Sequence, residues 1–376
     1  MNKINQGRSP ALDAIRIFAL ICVVSVHFFL YSGFYEVDLV GWTLYGATLA
    51  RTFFMICVPL FLMLSGYLMR NKKPSKAYYS KIIRIIGEYL LAAVFCIGCV
   101  AIRDRDNLGF IKAFLIQIFG IFNYEAVAYS WYVNMYIGLF LLIPYLNVLY
   151  NGLQGKKAKQ GLVFTMLLLT GIPSLFNSAI FSLPWTMRYN DPSNILMLFP
   201  NWWGNIYPIT FYFIGAYLNE YPLQLSKTKS LLLLATANFI GGTISFVNSI
   251  GSTFRYGPWQ EHSSFFVIVE SVLIFHFFLQ LDYSRIGAKM RAFLGLLSDL
   301  TFSAYLVSVV FDMFLYRVIK LGGETPIDTP VLFFVFVPIV LVCSLITAYI
   351  LVFIYKLLVK WITLLVSRFK VTRIKV

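Results

Sequence analysis

Apolar residues run along this chain in stretches of about twenty, separated by short polar connections, and a helix of that length spans a hydrocarbon core of about 30 Å. The stretches fall at 11–32, 50–69, 85–102, 130–150, 161–183, 206–219, 231–250, 265–281, 294–316 and 331–355, the sixth being the shortest. Lipid offers no partner for an exposed peptide group, so each stretch is expected to satisfy its own backbone as a helix. The pattern predicts an all-α polytopic integral membrane protein with about ten transmembrane helices. No hydrophilic block between them is long enough to fold apart, so residues 1–376 read as a single transmembrane domain with a basic tail over 356–376.

Composition excludes the soluble classes. The chain is 59% hydrophobic and 12% charged, where soluble domains carry about 25% charged residues. A net charge of +15 would fit nucleic acid if it were clustered, but it is spread through short loops, so no nucleic-acid partner is expected. The spread instead reports orientation. On the alternation set by the ten spans, 22 of the 31 Lys and Arg residues share the side of the N-terminus, and seven take the other. The positive-inside rule then places both termini in the cytoplasm, as expected for a multi-pass protein of the cell membrane. The five cysteines are odd in number and all lie in apolar segments (Cys22, Cys57, Cys96, Cys99, Cys343), so neither a disulfide framework nor a metal site is expected. Cys96 and Cys99 read as packing residues despite their CxxC spacing.

Two connections depart from the loop pattern. Phe110 to Ser130 is aromatic and too polar for a span, which suits an interfacial or re-entrant helix. Pro184 to Asn205 carries Trp185, Trp202 and Trp203, which fit anchors at headgroup depth or a stacking platform for a sugar.

The first stretch matters most for chemistry. It holds Asp13, Arg16 and His27, groups costly in hydrocarbon unless they face protein or water. Arg16 and His27 are eleven positions apart, which at about 100° per residue returns them to one helix face, roughly 16 Å apart along the axis. Arg16 can pair with Asp13 three residues earlier, and His27 can be satisfied by Ser25 or Tyr31. Glu88 is placed to pair with Arg84 one turn away, and Ser65 with Gly66 to allow close helix approach. Glu270, His276, Asp299 and Asp312 are further polar groups in apolar runs, and none is given a catalytic role.

These residues carry a resemblance. The run L-D-A-I-R-I-F-A-L-I-C-V-V-S-V-H, with ten residues between Arg16 and His27, resembles the first-helix signature of the membrane-bound acyltransferase family 3. V-P-L-F-L-M-L-S-G-Y-L from Val58 is similar to the family's second-helix ending. Lys81 and Arg84 match its basic-x-x-Arg pair, S-W-Y from Ser130 resembles the opening of a later span, and F-S-A-Y-L from Phe302 matches a helix near the C-terminal end. The chain departs from many relatives at Ser308, where they carry a His, and nothing like the hydrolase domain fused to some relatives follows the last span.

The resemblance implies transfer of an acyl group, commonly acetyl from acetyl-CoA, to a hydroxyl of a cell-surface carbohydrate or glycolipid. It implies His27, Arg16 and Asp13 as the catalytic set. His27 would be the base or a transient acyl carrier, since an imidazole can take a hydroxyl proton at neutral pH. Arg16 would meet oxyanion charge or a donor phosphate. Lys81 and Arg84 would receive the polyanionic coenzyme, and Trp131, Tyr132 and Tyr305 the acceptor. The rival reading is a transporter without chemistry of its own, with Arg16, His27, Glu270 and Asp312 as ion or substrate sites.

Overall fold

The computed structural model describes residues 8–103, 115–116, 118–124, 127–177, 198–321, 327 and 331–373. Among them the chain is helical, with one isolated bridge between Leu39 and Ile250. The helices are α1 (Pro10–Tyr31), α2 (Gly41–Phe54), α3 (Cys57–Met69), α4 (Lys76–Tyr79), α5 (Ile82–Arg103), α6 (Trp131–Gly152), α7 (Gly155–Thr170), α8 (Pro173–Phe176), α9 (Tyr207–Glu220), α10 (Lys227–Val247), α11 (Phe265–Leu279), α12 (Ala288–Leu321) and α13 (Val331–Arg373). Among the described residues nine helical segments are long and apolar enough to cross a membrane, with α2 and α3, α4 and α5, α7 and α8, and α11 and the 3₁₀ turn before it each counted together.

The predicted spans map onto these helices with three corrections. The sixth, at 206–219, is the 14-residue α9, entered through a 3₁₀ turn at Asn201–Ile206. The second starts at Gly41 rather than 50, because Trp42, Thr43, Tyr45 and Gly46 dilute the hydropathy of α2 without stopping it. The last runs on to Arg373, so most of the basic tail is helical. The reading of Phe110 to Ser130 falls partly outside the described residues, as does Trp185 with the rest of 184–197.

Local chemistry sets the helix boundaries. Pro10 opens α1, where its missing N–H is no loss. Ser75, Ser226 and Ser264 each accept a hydrogen bond from the backbone three residues on, which caps α4, α10 and α11. Between α2 and α3 the ladder breaks at Met55 and Ile56. Pro59 explains the break, since it has no N–H to offer the Met55 carbonyl four residues back. At the other end of α3, Asn147 donates to the carbonyls of Met69 and Lys72 at 2.8 Å each, which satisfies groups a helix end leaves open.

Small residues set the closest helix contact. A Cβ on Gly66 would overlap the carbonyl oxygen of Tyr212, and one on Gly215 would overlap that of Met63. Backbone therefore meets backbone between α3 and α9, the small-residue packing expected at Gly66. Glu220 then ties three elements together, accepting from Lys159 at 2.8 Å and from Arg70 at 3.0 Å.

Helix α1 sits inside this assembly against α2, α3, α11, α12 and α13. Its contacts with α12 rise together in number, Arg16 to Ser298 and His27 to Asp312, so the two helices run parallel. That pairing brings the ionisable residues of α1 onto those of α12.

Candidate active site

At the start of α1 the charges form a connected set. Arg8 donates to Asp13 through Nε at 2.7 Å and Nη2 at 2.9 Å, and reaches Asp299 and the Gly295 carbonyl on α12. Its hydrogen bonds to the Asp13 and Asp299 carboxylates hold the Arg8 guanidinium above its ordinary range. Asp13 is buried, and Arg8 rather than Arg16 is its close partner, since Arg16 stands 3.7 Å from Asp13 and donates only a 3.3 Å bond to Ser298. Arg16 is therefore the less satisfied of the two guanidinium groups. Arg8 lies outside the apolar run that singles out Asp13 and Arg16, and two of its three partners, Gly295 and Asp299, come from α12.

Of the two basic residues expected to hold a donor, Arg84 lies beside this set. Arg84 donates to Glu88 at 2.7 Å, as the spacing predicts, and the second Glu88 oxygen accepts from Ser303 at 3.1 Å. Ser303 is one turn beyond Asp299 on α12, so both basic clusters flank the same stretch of that helix. Lys81 is exposed at the approach to α5, as are Lys72, Lys73 and Lys76.

His27 meets a different environment. Its Nδ1 is buried without a hydrogen bond and lies 3.8 Å from Oδ2 of Asp312, itself fully buried. The ring stacks on Tyr129 with centroids 3.7 Å apart and planes at 24°. Tyr129 donates to the same Asp312 oxygen at 2.8 Å, and Tyr305 donates to the Tyr129 carbonyl. An imidazole backed by a carboxylate is the arrangement that orients a general base and stabilises the cation it becomes. The contact is too long for a hydrogen bond, and a closure of under about 1 Å would make it one. Neither Ser25 nor Tyr31 supplies a bond to Nδ1.

The aromatic residues expected at the acceptor site are brought together in part. Tyr132 lies edge-on to Tyr305 at 5.9 Å, and Tyr305 stacks with Tyr129 at 6.2 Å. Trp131 is exposed and stacks on His262 at 5.8 Å. Ser308 is buried and bonds back to the Tyr305 carbonyl. His276 faces the Leu225 carbonyl, whereas Glu270 is buried with neither oxygen hydrogen-bonded. No group of three or more metal-ligating side chains occurs among the described residues.

The helices define a polytopic membrane protein, and the comparison with protein families specifies its class. The model of the acyltransferase domain of acyltransferase family 3 matches residues 9–352. The chain belongs to that family and is a membrane acyltransferase. No curated protein and no solved structure matches it.

Proposed function

We propose that the protein is an O-acetyltransferase that moves an acetyl group from cytosolic acetyl-CoA to a hydroxyl of a cell-surface polysaccharide, its lipid-linked precursor or a related glycan. His27 takes the acceptor hydroxyl proton, the oxygen attacks the thioester carbonyl, the carbon–sulfur bond breaks, and the coenzyme leaves as the thiol with that proton. Asp312 orients the imidazole and Arg16, roughly 16 Å along α1 from His27, meets negative charge on the donor. Lys81 and Arg84 receive coenzyme phosphates at the end of the bundle that the loop charges place in the cytoplasm. Phosphates near Arg16 and a thioester at His27 require the donor to extend roughly 16 Å through the bundle.

The observation that carries this reading is the His27–Asp312 pair, because a half-buried imidazole with a carboxylate 3.8 Å from its Nδ1 is suited to move a proton. The test is label transfer from radiolabelled acetyl-CoA to glycan by the purified protein. His27→Ala and Arg16→Ala should each abolish incorporation, and unchanged incorporation in both would remove α1 from the chemistry.

A further inference from the structure

Pro59 has a second effect, beyond breaking the helix between α2 and α3. The Met55 carbonyl that it leaves without its helical partner lies 3.0 Å from Nδ1 of His262, in the segment leading into α11. A carbonyl can only accept, so Nδ1 carries the proton and Nε2 of the neutral ring is an acceptor. His262 lines a cavity of about 250 Å³ at the N-terminal ends of α9 and α11, together with Arg51, Tyr207, Tyr256, Gln260 and Glu261. We propose that this cavity binds a sugar bearing an anionic group, a carboxylate or a phosphate, with Arg51 as its counter-charge. The proposal deepens the reading above by naming the acceptor class, and rests on that reading for what becomes of the sugar.

Arg51 is 4% exposed. Its Nε donates to the Tyr35 hydroxyl at 3.0 Å and its Nη1 to the Gln260 carbonyl at 3.2 Å, while the guanidinium lies over the Phe254 ring at 4.8 Å. All these partners are neutral, and among the described residues no carboxylate pairs with it. A buried cation without a counter-ion is costly, so a ligand that supplies the negative charge gains more there than at the surface. Glu261 lines the same cavity, is exposed and forms no ion pair with Arg51.

Gln260 is 2% exposed, and its Oε1 has no hydrogen-bond partner. With His262 Nε2 it gives the cavity two acceptors for sugar hydroxyls. Tyr207 and Tyr256 give the lining aromatic faces; Tyr207 lies 6.0 Å from the His262 ring, and outside the cavity Trp131 stacks on that ring at 5.8 Å. Inorganic phosphate would meet Arg51 and leave the acceptors idle. A neutral hexose would satisfy the acceptors and leave Arg51 unpaired. An acidic or phosphorylated sugar uses all three features. From Trp131 a run of ring contacts passes through Tyr132, Tyr305 and Tyr129 to His27, which links His262 at the cavity to the proposed base through packed aromatic side chains.

The test is calorimetric titration of the purified full-length protein in detergent, without acyl donor, using glucose, glucuronic acid, glucose 6-phosphate and inorganic phosphate. One or both charged sugars should bind at least about tenfold more tightly than glucose or phosphate, the size expected of a charge-assisted pair, and the better of the two identifies the anionic group. Arg51→Gln should remove the preference for charge and Arg51→Lys should keep part of it. Gln260→Leu should weaken all the sugars while the preference remains. No binding, equal affinity for neutral and charged sugars, or a preference that survives Arg51→Gln overturns the proposal. His27→Ala should bind as the unaltered protein does. In the unaltered protein, absent transfer with the charge preference intact sinks the catalytic reading alone, and transfer with no charge preference sinks this one alone.

Discussion

Nδ1 of His27 lies 3.8 Å from Oδ2 of Asp312, on helices that are far apart in the chain and parallel in the fold. If the two act as one unit, removing either should disable the same step. Asp312→Asn keeps the shape and loses the charge, and kcat should fall by about 10²- to 10⁴-fold, the usual range for a positioned base and its orienting group. The double variant His27→Ala/Asp312→Asn should be no slower than His27→Ala alone. Steady-state kinetics on the four proteins checks this, and additive losses would separate the two residues.

Arg8 carries a different kind of weight. Its bond to Asp299 is largely exposed on both sides and is worth about 0–1 kcal/mol. Its bond to Asp13 covers a carboxylate that is 3% exposed, and leaving that group unpaired costs about 1–3 kcal/mol. Arg8→Ala should therefore lower the melting temperature more than Asp299→Asn does. Adding Asp13→Asn to Arg8→Ala should recover part of the loss, because the stranded charge is then gone. Thermal unfolding in detergent reads all four proteins.

Backbone contact between α3 and α9 makes a sharper distinction among glycines. Gly66→Ala and Gly215→Ala each place a methyl on a facing carbonyl, so the helices must separate, at about 1–3 kcal/mol or more. Gly138→Ala meets nothing within 4 Å on exposed helix α6, and there the better helix former should be neutral or stabilising by up to about 1 kcal/mol. If all three substitutions lower thermal stability equally, close packing is not what Gly66 and Gly215 provide.

The sequence carried much of this and lacked one kind of information. Apolar runs located the helices because lipid forces each to satisfy its own backbone. Arg16 and His27 stood out because charge inside such a run is costly. Asp312 stood out for the same reason and yet received no role, since its partner lies 285 positions away and nothing local reveals which helices run side by side. Tyr129 falls in a polar aromatic connection whose sequence does not distinguish an interfacial helix from a wall of the site. Arg51 was visible only as a cation beside a span. Its unpaired state and the open amide oxygen of Gln260 depend on three segments meeting, which is tertiary structure alone.

The donor end gives the last prediction. Arg84 is more than half exposed and shares its charge with Glu88 through a 2.7 Å bond, so a coenzyme phosphate must compete with that carboxylate for the guanidinium. Arg84→Ala should raise KM for acetyl-CoA by roughly the tenfold that one charge-assisted contact supplies, with kcat little changed. Glu88→Gln should lower KM, because it releases Arg84 and keeps a hydrogen-bonding group near Ser303. Raising salt from 0.05 to about 0.5 M should weaken donor affinity in the unaltered protein and less so in Arg84→Ala, since exposed charges are screened over about 10 Å at 0.1 M. Initial-rate measurements against acetyl-CoA at two salt concentrations decide the matter: a KM that ignores both Arg84→Ala and salt leaves Arg84 as orientation charge held by Glu88.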